Sequence, residues 1–214
     1  MCDSVRFHPS PVFISIVGAS CSGKTALAAN IAKRFNGQQV SVIAEDAYYK
    51  QQDHLSMEQR VTTNYDHPNA FDHDLLLQHI QQLQQGHSVE CPNYDYVAHN
   101  RSALTTIVHA TPVIILEGML LYHQTILREL FKLKLFVDTP ADICLARRIQ
   151  RDASERGRTV ASVLDQYQAT VRLMYHEFIE PSKYYADIIV PMGGYNKEAL
   201  CVLDSRISQL VGSV

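Results

Sequence analysis

The sequence contains no CxxC pair, and its five cysteines (Cys2, Cys21, Cys91, Cys144 and Cys201) are odd in number. That pattern excludes a disulfide framework or a structural zinc site as the organiser of the fold, and it predicts reduced thiols in a cytoplasmic protein. No apolar run approaches membrane-spanning length, so no membrane partner is expected. There is no basic excess either. A formal net charge of −3 gives no general attraction to nucleic acid or anionic lipid. Residues 1–11 lack an apolar signal core and a basic lead, and they read as a short polar tail. Internal repeats, linkers and low-complexity segments are absent. With 46% hydrophobic and 19% charged residues, disorder is not expected. A chain of 214 residues suits one domain spanning 1–214, with inserts.

What the chain does contain is organised around Val12 to Thr25, VFISIVGASCSGKT. A β-branched run breaks into Gly18-Ala19-Ser20-Cys21-Ser22-Gly23-Lys24-Thr25, and Ala26 to Phe35 then has helical composition. Strand, glycine-bounded loop, Lys-Thr and helix form the context of a phosphate-binding P-loop. Successive backbone N–H groups and the unpaired N–H groups of the helix's first turn converge on one point, where the helix dipole adds positive potential. Gly18 and Gly23 allow backbone conformations and close approaches that a Cβ would block. Lys24 is placed to reach the β- and γ-phosphates, and the Thr25 hydroxyl to take a Mg²⁺ position. Cys21 reads first as a small loop residue. A redox role is the alternative, since a helix N-terminus lowers a thiol's pKa.

Further along, Val40 to Ala44 is a short strand ending in Glu45-Asp46. Carboxyl ends of parallel strands are where ligands bind, so Asp46 is a functional candidate or else a turn aspartate. Asp66, His67, Asp72, His73 and Asp74 cluster without the spacing of a structural zinc site. Asp72 is better read as the N-cap of a helix from His73 to Gln85, stopped at Gly86. Residues 88–110 change to strand-like pieces, Tyr94 to Val97 and Leu104 to His109, which predicts an inserted β-hairpin. Tyr94 and Tyr96 there either pack structurally or flank a planar ligand. Val113 to Leu116 is a doubly buried strand ending in Glu117, either a Mg²⁺-coordinating carboxylate or a buried structural one.

Lys134 to Asp138 is the next strand. Thr139-Pro140-Ala141-Asp142 supplies an expected N-cap, N1 proline and N3 acid. The helix that follows carries Arg147, Arg148 and Arg151, with Arg156 and Arg158 beyond it, five arginines within twelve residues. They suit stabilisation of a transferring phosphoryl group, or else a solvated face with ion pairs. Helical spacing from Val160 to Phe178 predicts one long helix over 159–180, stopped by Pro181. Ala186 to Val190 is the last strand and Asn196 to Val211 a closing helix. Strands alternating with helices predict an α/β architecture with a parallel sheet.

These residues together resemble the uridine–cytidine kinase family, pyrimidine ribonucleoside kinases of nucleotide salvage, and look closest to its bacterial branch. The resemblance runs over about residues 12–211. It rests on the P-loop, Glu45-Asp46-Ala47-Tyr48-Tyr49-Lys50, Asn64-Tyr65-Asp66-His67-Pro68 and Tyr94-Asp95-Tyr96-Val97 with His99 and Arg101. It continues through Lys134 to Thr139, Ser154-Glu155-Arg156-Gly157-Arg158, Gln166-Tyr167 and Glu180-Pro181-Ser182-Lys183. The resemblance implies a three-layer, nucleoside-monophosphate-kinase-like P-loop fold with a five-stranded parallel sheet, the hairpin insert and an arginine-rich lid over 147–158. It implies transfer of the γ-phosphate of ATP or GTP, with Mg²⁺, to the 5′-hydroxyl of uridine or cytidine. Asp46 matches the general base, and Asp66 the residue that binds the ribose hydroxyls. Gln166, Arg148 and Arg158 match further nucleoside contacts. Tyr94 and His99 match contacts to the pyrimidine edge, and Tyr96 one to its face. Arg151 and Arg156 lie in the lid, while Thr25 and Glu117 match the Mg²⁺ shell. Relatives are commonly homotetramers inhibited by pyrimidine triphosphates. Pro191-Met192-Gly193-Gly194 departs from the frequent Pro-Arg-Gly-Gly and leaves the choice of ATP or GTP open.

Overall fold

The computed structural model describes residues 10–35 and 37–212; most of the expected N-terminal tail, with Cys2, lies outside them. Strand β1 (Val12–Gly18) leads into helix α1 (Lys24–Ala32), and β2 (Val40–Ala44) into a 3₁₀ turn over Glu45–Tyr48. Short helix α2 (Met57–Val61) and helix α3 (His73–Gln84) precede the antiparallel hairpin of β3 (Val89–Asp95) and β4 (Asn100–Val108). Then come β5 (Val113–Gly118), α4 (Thr125–Leu130), β6 (Leu133–Asp138) and α5 (Ala141–Glu155). The five parallel strands pair in the order β2-β5-β1-β6, followed by β7 (Ile188–Pro191).

Each central strand is apolar at successive positions because both of its faces are covered. Along β1, Phe13 and Val17 join one core with Ile114 and Leu116 of β5, together with Leu76, Ile80 and Leu83 of α3. Ile14 and Ile16 face the other core. There they meet Ile115, Leu27 and Ile31 of α1, and Leu200, Leu203 and Ile207 of the closing helix. The parallel register brings Ala44 and Ile16 level with Glu117. The P-loop, the 3₁₀ turn with Asp46, and Glu117 therefore emerge at one edge of the sheet.

Three expectations are corrected. The 159–180 segment is not one regular helix stopped by Pro181. It runs as α6 (Val160–Gln166), a π-helical turn Tyr167–Val171, α7 (Arg172–Met174), a second π turn Tyr175–Ile179, and α8 (Glu180–Ser182). Pro181 sits in the first turn of α8, where its missing N–H costs nothing, and the chain continues through a 3₁₀ turn at Lys183–Tyr185. The closing helix is then α9 (Lys197–Gly212).

Thr139 does not cap α5. The N-cap is Pro140, without a side-chain bond, because the Thr139 hydroxyl donates instead to the Ser22 carbonyl at 2.8 Å. The hairpin strands also differ from 94–97 and 104–109. Asp95 accepts from the N–H groups of Val97 and Ala98, so Tyr96 and Val97 belong to the turn, as does His99 at φ 49°. The N-cap role of Asp72 is seen, its carboxylate accepting from Leu75 N–H at 3.1 Å.

Candidate active site

The P-loop is held from behind by its neighbours. A Cβ on Gly18 would stand 2.7 Å from the Val137 carbonyl, and Gly23 has φ +101° with the backbone of Gly193 and Gly194 close by. Arg147 reaches the carbonyls of Cys21 and Ser22 at 3.4 and 3.5 Å, and its guanidinium lies 5.1 Å from the Tyr195 ring. Cys21 takes a left-handed φ of 62°, so its place in the loop is set by backbone shape. Lys24 is buried and folds back to the Ala19 carbonyl at 3.5 Å. The buried Ser22 hydroxyl lacks a hydrogen-bond partner among the described residues. A buried lysine cation beside a glycine-bounded loop at a helix start fits an anion such as a triphosphate.

Thr25 donates to Glu117 Oε1 at 2.9 Å. Burial pushes the Glu117 carboxyl above its usual range, only partly offset by Lys24. Two oxygen donors beside an anion cradle fit Mg²⁺, which keeps waters and phosphate oxygens in its remaining positions.

Across the cleft, the Tyr96 hydroxyl donates to Asp46 Oδ2 at 3.2 Å, while the buried Asp46 Oδ1 has no partner among the described residues. A cleft of about 210 Å³ opens there, lined by Ser20, Asp46, Asp66, Tyr94, Tyr96, His99, Arg148, Arg151, Arg156, Arg158 and Gln166. The structure thus brings together every acceptor-side candidate, from segments as far apart as residues 46 and 166. Burial raises the Asp66 carboxyl above its usual range against the pull of Arg148, whose guanidinium stands 4.0 Å away. Burial, with Arg158 and Arg156 nearby, lowers the pKa of His99 and favours its neutral form. Gln166 accepts from both Arg148 and Arg158. Arg156 lies 4.0 Å over the ring of Tyr96, so one face of that ring is already covered.

Two groups escaped notice in the sequence. Glu45 is 1% exposed. Its carboxylate accepts from Met119 and Leu120 N–H at 2.7 and 2.9 Å and pairs with the His73 ring at 2.8 Å. It clamps the turn carrying Asp46 to the end of the Glu117 strand, and a Cβ on Gly118 would stand 2.2 Å from it. Asp152, wholly buried, sits among Arg148, Arg151, Arg156 and Arg158. Its only advance sign was an acid amid five basic residues, which is equally the mark of a solvated helix face.

Comparison with known proteins agrees with this picture. The model of the phosphoribulokinase / uridine kinase family matches residues 13–199. A uridine kinase of Vibrio cholerae is 54% identical over 206 residues, covering 94% of this chain and 97% of the relative. One from Salmonella paratyphi B is 55% identical over 202 residues, covering 92% and 95%. Among solved structures, phosphoribulokinase from Rhodobacter spheroides superposes with a TM-score of 0.61 at 17% identity, over 86% of this chain and 71% of that one. At that identity the likeness speaks for the fold alone. Sequence identity above one half over nearly the whole chain speaks for descent, and the chain belongs to the phosphoribulokinase / uridine kinase family.

Proposed function

We propose that this kinase phosphorylates the 5′-hydroxyl of uridine and cytidine with the γ-phosphate of ATP or GTP, giving the monophosphates in pyrimidine salvage in the cytoplasm. The observation that carries the reading is Asp46, which lines a nucleoside-sized cleft beside the phosphate cradle and keeps one carboxylate oxygen without a partner among the described residues. Relatives more than half identical over this length bear the name uridine kinase, which supports uridine as an acceptor.

Asp46 accepts the proton of the attacking hydroxyl, while Tyr96 holds the second carboxylate oxygen and so fixes the direction of the first. Asp66, assisted by Arg148, holds the ribose hydroxyls; Tyr94, His99, Arg158 and Gln166 orient the nucleoside. The neutral His99 ring offers one donor and one acceptor to a base edge. Lys24 and the P-loop amides hold the donor phosphates, and Arg151 and Arg156 neutralise charge that grows on the transferring group. Thr25 and Glu117 would hold Mg²⁺, which when bound spreads the charge of the donor phosphates. Aromatic walls and arginine stems exclude bulk water from the reacting centre.

A coupled assay with ATP and GTP against uridine, cytidine, 2′-deoxyuridine, adenosine and pantothenate tests the reading. Product is expected from uridine and cytidine. Preferential turnover of adenosine or pantothenate would reject it. Nucleotide binding without any nucleoside-dependent product would instead mean a non-catalytic module.

A further inference from the structure

Four arginines converge on one carboxylate inside the cleft wall. Asp152 is wholly buried. Arg151 meets its Oδ1 through Nη2 at 2.8 Å and Nε at 2.9 Å, and Arg156 approaches the same oxygen at 3.7 Å. Arg148 and Arg158 stand 3.7 and 3.8 Å from Oδ2, which receives no hydrogen bond from the described residues. The geometry of the four is not equivalent. Arg148 is also held by Asp66 and Gln166, and Arg158 by Gln166 and the side chain and carbonyl of Ser162. For Arg151 and Arg156, Asp152 is the one carboxylate within ion-pair distance among the described residues; Arg156 also lies over the Tyr96 ring.

We propose that Asp152 is a positioning residue that holds Arg151 and Arg156 over the cleft before the phosphate arrives, while Arg148 and Arg158 are set independently for the nucleoside. The inference rests on the kinase reading above. Without the buried carboxylate, four like charges sharing one wall repel and swing toward solvent. With it, each guanidinium still keeps N–H donors unused by Asp152, on side chains that line the cleft. A carboxylate that engages them at these distances holds them without tying up every donor that a phosphate would use. Asp152 touches no reacting atom and acts through the arginines alone.

The test is Asp152→Asn. Wild-type protein is assayed first for nucleoside-dependent transfer, so that failure of the kinase reading is seen separately. Asp152→Asn is expected to lower kcat by about 10²-fold, as displaced positioning groups do. Its nucleoside dissociation constant, measured calorimetrically without donor, should stay within about threefold, as for an independent site. Asp152→Glu, which restores the charge, is expected to recover part of kcat. In an Arg151→Gln/Arg156→Gln background, adding Asp152→Asn should cost less than about threefold further, because residues acting as a unit are not additive. That last comparison also serves if the single variant folds poorly. An unchanged kcat in Asp152→Asn, a parallel loss of nucleoside affinity, or a full additive loss in the arginine-deleted background would each overturn the assignment.

Discussion

The residues at the sheet's carboxyl edge carry opposing demands. Asp46 must be free on one oxygen and fixed on the other, and the Tyr96 hydroxyl meets that requirement at 3.2 Å. Asp46→Asn keeps an acceptor for Tyr96 and loses the base. Turnover is expected to fall by about 10²- to 10⁴-fold with uridine binding retained; near-normal kcat would remove Asp46 from the chemistry. Glu117 shows the stability side of the same edge. Burial raises its pKa, so the native state binds its proton more tightly than the unfolded chain does. Stability from this group is therefore present below the ordinary carboxylate pKa and falls as pH rises through the raised one. Glu117→Gln should then raise the Tm of the ligand-free protein at pH 7, by about 2–4 °C per kcal/mol relieved. The gain should fade near about pH 4, where the carboxyl is protonated in both states. A lower Tm at pH 7 in calorimetry would contradict this account.

At the scale of elements, the hairpin is tied to the rest of the site through α3. Asp72 caps that helix and also receives Arg101 of β4 at 3.1 Å, and Arg101 in turn reaches the Tyr48 carbonyl at 3.3 Å. One side chain thus serves a helix end and the alignment of β4, the strand that follows the Tyr96–His99 turn. Asp72→Ala is expected to cost about 0.5–2 kcal/mol through the lost cap. It should also raise the KM for uridine more than it lowers kcat, because Asp46 is untouched. Thermal melts and steady-state kinetics on the same preparation separate the two effects; an unchanged KM would sever the hairpin from the cap. The helical segment from α6 to α8 follows a different logic. Its two π turns admit an extra residue each, so a strict helical repeat read from sequence drifts out of phase there.

Across the whole molecule, the cleft is assembled from the ends of parallel strands, a hairpin turn and the α5–α6 arginine wall. Ligand that binds only this assembled form stabilises all of it. Uridine at a hundred times its dissociation constant adds about 2.7 kcal/mol, a Tm rise of roughly 5–10 °C. 2′-Deoxyuridine at the same concentration should give a smaller rise, and Asp66→Asn should abolish most of the difference between the two. Equal shifts for both nucleosides in wild type would remove Asp66 from ribose recognition.

The chain's local chemistry determined a great deal alone. The P-loop, the five parallel strands, the Asp72 cap and the hairpin insert are written in short-range patterns: β-branched runs, glycines and an acid before a helix. Strand ends bearing Asp46 and Glu117 were legible because parallel sheets gather such ends at one edge. The roles of four residues were decided only when the chain folded. Thr139 had the makings of a cap, yet it donates to a carbonyl 117 residues away in sequence. Pro181 had the makings of a helix stop, yet it falls at the start of a new turn. Glu45 and Asp152 looked like ordinary polar residues. The burial of Glu45 comes from backbone N–H groups and a histidine far along the chain, and local spacing carries no record of those partners. The arginines around Asp152 are close in sequence, but whether that stretch meets solvent or packs inward is decided only by the fold. A carboxylate's meaning depends on what surrounds it in space, and tertiary packing alone supplies those surroundings.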